Sequence, residues 1–186
     1  IDDKYLVQGL DEDPANVREA RNHLRALKVY GEVTAVPFDG KHLPYVDRLV
    51  NLVVAEAGCT VPEAEILRVL APNGVAMIGD RKLVKPWPGQ IDEWTHYLHG
   101  PDNNVVANDT KAGLPNHVQW IGYPKYARSH EQLASVSAMV SAQGRLFCII
   151  DEGLTADIRM PAQWSLVARD AFNGIILWKR NIDRWA

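Results

Sequence analysis

Hydrophobic and polar positions in the first eighty residues alternate between two periods. "YLVQGLD", residues 5–11, is an apolar run closed by an acid and predicts a strand. "DPANVREARNHLRAL", 13–27, predicts a helix, with Asp13 as N-cap and Pro14 at the first helical position. Its Val17, Ala20, Leu24 and Leu27 fall on one face at helical spacing. "GEVTAVPFD" predicts a second strand, opened by Gly31, and "LVNLVVAEA" a third, whose unbroken apolar run suits a strand covered on both faces. "PEAEILRVL" predicts a helix stopped at "APNG" by Pro72 and Gly74, and "GVAMIGD" a fourth strand. Strand–helix–strand alternation of this kind argues for a parallel α/β sheet.

Beyond about residue 81 the pattern changes. "KLVKPWPGQ" holds two prolines and a glycine and reads as a linker. From 92 to 117 the chain is polar with weak periodicity, which predicts mostly loop. Short strand patterns then recur. "HVQWIGYP" predicts one strand, and "SVSAMVSAQGRLFCIIDEG" a hairpin turning at Gln143-Gly144. "WSLVARDAFNGIILWKR" predicts a second hairpin, with Asn173-Gly174 supplying the two positive-φ positions of a type I′ turn. The second half is therefore expected to be all-β and antiparallel.

Composition narrows the classes of function. The chain has 186 residues, 47 % of them apolar and 23 % charged, as in ordinary globular proteins. A net charge of −3 gives no electrostatic case for nucleic acid or an anionic membrane. No window approaches the roughly 20 apolar residues of a membrane-spanning helix. Cys59 and Cys148 lie far apart, form no metal-binding spacing and read as buried or incidental thiols.

Four pieces of the first half carry a family resemblance in order and spacing: "VQGLDEDPANVREAR", "VTAVPFDGKHLPY", "LVNLVVAE" and "EILRVLAPNGVAMI". Together they resemble the middle of a class I S-adenosylmethionine-dependent methyltransferase. An acid at the carboxyl end of a strand can accept both ribose hydroxyls, and the resemblance gives that role to Asp11. It places Asp39 against the adenine amino group, with Phe38 or Gly40 near the ring. Glu56, closing the next strand, is the candidate to face a substrate, although an exposed loop acid is the plainer reading of it. The family's first strand and glycine-rich phosphate loop have no counterpart here, and Asn51 stands where the family carries an acid. No catalytic residue is identified, and weak or absent cofactor binding is expected of this stretch alone.

"SVSAMVSAQGRLFCIID" followed by "LVARDAFNGIILWKR" resembles one repeat of a pyrroloquinoline-quinone-type (quinoprotein-like) β-propeller. In that pattern Asp170 ties a turn through its side chain, Gly174 makes the turn, and Trp178 packs between neighbouring blades. "VQWIGYP" near Trp120 would be the outer strand of another blade. A propeller closes with about 4 to 8 blades, so one blade implies further N- and C-terminal parts of the same parent protein as partners. Quinone sites in such propellers draw on several blades, so no quinone cofactor is expected here.

"DEWTHYLHGPDNN", between the halves, gathers acids, amides and the pair His96 and His99. On a helix the two histidines would share a face and could ligate a metal, with His130-Glu131 as further candidates. A polar loop with Trp94 and Tyr97 buried is the plainer reading, and no metal is expected.

The expected fold class is thus α/β followed by all-β: a partial Rossmann-like parallel sheet over 1–82, a linker and irregular polar segment over 83–115, and antiparallel β-propeller-type blade structure over 116–186. The expected function is methyl transfer with S-adenosylmethionine in the parent protein. The alternatives are a non-enzymatic propeller scaffold or binding module, and a quinoprotein-type oxidoreductase.

Overall fold

The computed structural model describes residues 5–111, 118–122, 136–153 and 159–182. The chain divides into two compact units, Ile1–Pro86 and Trp87–Ala186.

In the first unit, β1 (Val7–Asp11) leads into α1 (Pro14–Ala26) and then β2 (Val33–Pro37). The Asp13 carboxylate accepts the Ala15 N–H at 2.7 Å, satisfying one of the free donors at the helix start. His23 and Arg25 lie in the last turn, where positive charge suits the helix dipole. Arg21 Nε donates to the Ala35 carbonyl at 2.7 Å and ties α1 to β2. β1 and β2 pair in parallel, from Val7 opposite Val33 to Asp11 opposite Pro37.

β3 (Val50–Ala55), α2 (Glu63–Val69), β4 (Leu70–Ile78) and β5 (Arg81–Val84) follow. β4 is the centre of a three-stranded sheet, parallel to β3 and antiparallel to β5. Proline and glycine in "APNG" do not separate helix from strand as expected. β4 begins directly at Leu70 and absorbs them, with Asn73 at φ 63° and a register shift between Val50 and Leu52. Ile66, Val69, Leu70 and Ala76 are buried with Leu43 and Val61, and Leu10, Phe38 and Val53 pack against them. This cluster is the unit's core.

β5 falls in the stretch expected to be a linker. Gly79 and Asp80 form its two-residue hairpin, with Gly79 at φ +55°. Positive φ at the first central residue alone is the signature of a type II′ turn.

In the second unit β6 (Val136–Ala142), β7 (Arg145–Asp151), β8 (Trp164–Asp170) and β9 (Ile176–Asn181) form one antiparallel sheet in sequence order. Cys148, Ile150 and Val167 are its buried centre. The type I′ turn sits at Gln143-Gly144, whose φ values are 49° and 72°. At Asn173-Gly174 only the glycine has positive φ, +75°. There the Asp170 carboxylate accepts the N–H groups of Phe172 and Asn173 at 2.8 and 3.1 Å and opens a longer loop. The described part of "HVQWIGYP", Val118–Gly122, is not a strand. It lies across the β8–β9 loop, where Trp120 Nε1 donates to the Ala171 carbonyl at 3.0 Å and Gln119 Nε2 to the Phe172 carbonyl at 2.8 Å.

These findings correct the expected fold class. The first unit is not one parallel Rossmann-like sheet. Its strands fall into a two-stranded and a three-stranded sheet, the second of them mixed. Among the described residues two helices, of 13 and 7 residues, accompany them. The physical reason shows on β3: Leu52 and Val54 are 57 % and 74 % exposed, so a run expected to be covered on both faces is covered on one. In the second unit the described residues form a single four-stranded sheet and no closed ring of blades. Trp178, expected to pack between blades, is 45 % exposed.

Candidate functional site

The parallel register of β1 and β2 brings their carboxyl ends side by side. Phe38 N–H donates to the Asp11 carbonyl at 3.2 Å, so the segment Phe38-Asp39-Gly40 leaves β2 alongside Asp11 and Glu12. This is the candidate site. Four of the expected residues, Asp11, Phe38, Asp39 and Gly40, meet here.

Asp11 is held by its own loop. Its Oδ1 accepts the Asp13 N–H at 2.7 Å, and the Asn16 amide reaches both carboxylate oxygens at 3.3 and 3.2 Å. The two Asn16 bonds are long, and a ligand hydroxyl can replace them.

Asp39 is more fully engaged. Its Oδ1 accepts the N–H groups of Lys41 and His42 at 2.8 and 2.6 Å, and its Oδ2 meets His42 Nδ1 at 2.7 Å. The His42 N–H, then the His42 ring and the Lys41 N–H, hold this carboxyl well below the usual carboxylate range. An adenine amino group would have to compete with that turn. Gly40, at φ +75°, lies under the Glu12 carboxylate, which occupies the space a Cβ would fill. Thr60 Oγ1 donates to the Gly40 carbonyl at 3.1 Å and brings the β3–α2 loop to the same point. Glu56 directly follows β3 of the other sheet and is exposed, with its carbonyl accepting the Cys59 N–H at 3.2 Å.

Sequence reasoning missed Glu12, His42, Thr60 and the residue that fixes the loop after Asp39, Arg68. Asp39-Gly40-Lys41-His42 carried a usable signal, since an aspartate before glycine favours a side-chain-capped turn. For Arg68 the sequence offers only the helix-face spacing to Glu65, three residues away; nothing local marks its other partners, 21 to 25 residues away at Asp47, Tyr45 and Leu43.

In the second unit His96 and His99 do not share a helix face. Each donates its backbone N–H to the other's carbonyl, at 3.1 and 3.2 Å, in a tight turn. Both His99 ring nitrogens face acceptors: Nε2 meets Asp92 Oδ2 at 2.7 Å and Nδ1 meets the Asn104 carbonyl at 3.0 Å. Both acceptors are satisfied together only when His99 carries two N–H donors, that is, when it is protonated and clamps the turn as an imidazolium. His96 Nδ1 meets Thr95 Oγ1 at 2.9 Å. Among the described residues no three His, Cys, Asp or Glu side chains gather in a way that could hold a metal. His130-Glu131 lies outside the described residues. Cys59 is exposed and Cys148 buried.

The clamp sets a pH window. Asp92 chiefly, through its hydrogen bond, raises the His99 pKa above 6.5, so that contribution is complete below 6.5 and is lost as pH rises through the folded value. The Asn108 N–H, then His99 and the Glu93 N–H, push Asp92 from 3.8 down to about 2, so its contribution is present above 3.8 and is lost as pH falls toward about 2. All six tryptophans lie between Trp87 and Trp185, so their fluorescence follows the second unit alone. The thermal midpoint read this way should be highest between pH 3.8 and 6.5. The gap between wild type and Asp92→Asn should close as pH falls toward about 2 and should only narrow, by the His99 share, above the window, where the Asn108 and Glu93 N–H bonds to Asp92 persist; a gap independent of pH would contradict the clamp.

Against known proteins, no family model matches the chain. No curated protein matches it either. Among solved structures, the [4+2]-cyclase SpnF is similar at 25 % identity over 41 % of this chain and 30 % of the cyclase chain, with a TM-score of 0.38. This chain thus spans under a third of that protein's length, and a likeness of this degree carries no argument about fold or chemistry. No helix among the described residues is long and apolar enough to cross a membrane.

Proposed function

We propose that the carboxyl ends of β1 and β2 form the nucleoside-binding part of an S-adenosylmethionine site, serving methyl transfer in the parent protein. One observation supports this above the others: the register that sets Asp11 beside Phe38-Asp39-Gly40. Asp11 would exchange its long Asn16 bonds for the two ribose hydroxyls. Phe38 and the Gly40 backbone would meet the adenine ring, with the exposed Glu12 side chain swinging aside. Methyl transfer itself asks mainly for in-line positioning of acceptor and sulfonium methyl, and the protein supplies orientation.

A second reading, a non-enzymatic binding module, draws on a different observation. The Asp39 carboxylate is fully used in holding its own turn, which is what a scaffold would do with it.

Calorimetric titration of S-adenosylhomocysteine into the chain and into Asp11→Ala separates the two. The methyltransferase reading expects weak binding, a Kd on the order of 100 μM, weakened at least tenfold by the substitution. Absence of binding, or equal binding by both proteins, would leave the scaffold reading.

A further inference from the structure

Away from this site, the polar segment before β6 is built around one imidazole. The His99 side chain is 12 % exposed and lies between two acceptors. Its Nε2 meets Asp92 Oδ2 at 2.7 Å and its Nδ1 the Asn104 carbonyl at 3.0 Å. The Trp94 indole stands edge-on to the ring, with centroids 5.1 Å apart. The two acceptors are not equally held. Asp92 is fixed from behind: Oδ1 accepts the Glu93 N–H and Oδ2 the Asn108 N–H, each at 2.7 Å, and the Asp109 carboxylate accepts the Asp92 N–H. Asn104 has far less to hold it. Its N–H reaches Asp102 Oδ1 at 3.3 Å, a long bond. The turn that leads to it has His99 at φ 72° and Asn103 at φ 58°, both in the left-handed region that side chains disfavour.

A neutral imidazole has one N–H donor and one lone pair. On losing a proton, His99 must therefore give up one of the two bonds. If Nδ1 kept the hydrogen, the Nε2 lone pair would face an anionic carboxylate at 2.7 Å. If Nε2 keeps it, the charge-assisted bond to Asp92 survives and the Nδ1 lone pair faces a neutral carbonyl at 3.0 Å. The second arrangement is lower in energy, and it turns the Asn104 contact from attraction to repulsion. We infer that residues 100–104 form a proton-operated latch, closed while both His99 ring nitrogens carry hydrogen and opened at Asn104 when Nδ1 loses its own.

The charges around the ring favour the closed form. Asp92 chiefly, through its hydrogen bond, raises the His99 pKa above 6.5, and Asp102 adds to this from within the turn. Glu93 is engaged by the Gln143 N–H and Asp109 by the Asp92 N–H, while the His96 ring meets Thr95 Oγ1. From β6 and the β6–β7 turn, the segment meets the neutral Ser141 and Gln143. The latch is thus closed at pH below the folded value of His99 and open above it. It does not depend on the nucleoside site.

The test is a set of ¹H–¹⁵N spectra of the full chain, imidazole nitrogens included, recorded from about pH 5 to about pH 9. Above the His99 transition the ring hydrogen should remain on Nε2. The Asn103 and Asn104 amides should shift with the His99 midpoint. Their exchange protection, corrected for the intrinsic rate, should fall about tenfold, the scale of one lost hydrogen bond. The Glu93 and Asn108 amides, which Asp92 still holds, should keep theirs. In Asp92→Asn the midpoint should fall toward 6.5, and in His99→Gln the pH-dependent shifts of Asn103 and Asn104 should vanish. If either variant fails to fold, the wild-type tautomer and amide shifts decide. A hydrogen on Nδ1 of the neutral ring, or Asn103 and Asn104 amides indifferent to the His99 titration, would overturn the inference. So would shifts of these amides that persist in His99→Gln.

Discussion

An Arg68→Ala variant should unfold its Ile1–Pro86 unit about 3 kcal/mol more readily than wild type. All five guanidinium N–H groups have acceptors. Nε and one Nη bond Glu65 Oε2 and Oε1 at 2.8 and 2.7 Å. The remaining three reach the Tyr45 carbonyl at 2.8 Å, Asp47 Oδ1 at 2.7 Å and the Leu43 carbonyl at 3.1 Å. Glu65, only 14 % exposed, would lose its cation and keep a single backbone donor, the Leu43 N–H at 2.8 Å. An uncompensated, partly buried carboxylate is the main cost. Arg68 is itself 33 % exposed, and solvent screening holds the figure below that of a fully buried pair. Circular dichroism should show the loss while tryptophan fluorescence, confined to the other unit, holds its midpoint. Arg68→Lys should recover only part, because an ammonium cannot form the fork that meets both Glu65 oxygens. A loss below about 1 kcal/mol would reduce the hub to an ordinary surface ion pair.

The second large effect lies in the other unit. Gly174→Ala should cost about 2–4 kcal/mol. A Cβ there would lie 2.3, 2.5 and 3.0 Å from three atoms of the Trp120 indole, and the backbone is at φ +75°. The indole must move, and moving it breaks its bond to the Ala171 carbonyl. Trp120→Ala should itself destabilise the unit. In its background the glycine substitution should cost only the positive-φ strain, about 1 kcal/mol. Chemical denaturation followed by circular dichroism measures all three variants. Strictly additive losses would show that Trp120 and Gly174 are not coupled.

Legibility in the sequence followed the range of the interactions. Asp13-Pro14 marked the start of α1, and the structure places the helix at Pro14–Ala26, because an N-cap acts on its own turn. Gln143-Gly144 was read as a turn for the same reason. Asn173-Gly174 misled: the residues suit a type I′ turn, but Asp170 captures the backbone first and makes a wider loop. The Gly79-Asp80 hairpin was hidden by the prolines that follow it, which made Arg81–Val84 look like linker. The division of the first unit into two sheets had no local signal at all. A strand's own residues do not say which edge stays unpaired, only the exposure of Leu52 and Val54 does. In the candidate site, Asp11 and Asp39 each close an apolar run, and the family resemblance singled them out. The Asp39-Gly40-Lys41-His42 turn is local and left a usable signal, whereas the cover of Glu12 over Gly40 became visible only with β1 and β2 in register.

The order of the strands also bears on how each unit can assemble. In the second, every strand pairs with its neighbour in sequence, and β6 and β7 are joined by two residues. Such a meander can zip from one closed turn to the next, each step adding little loop entropy. In the first, Val7 must find Val33 across an intervening helix, and no tight turn can start that parallel pair. The β1–β2 pair therefore closes across α1, which Arg21 Nε ties to the Ala35 carbonyl, whereas β4 and β5 of the same unit meet through the two-residue turn at Gly79-Asp80, so long loop closure bears on the strands that end at Asp11 and Pro37.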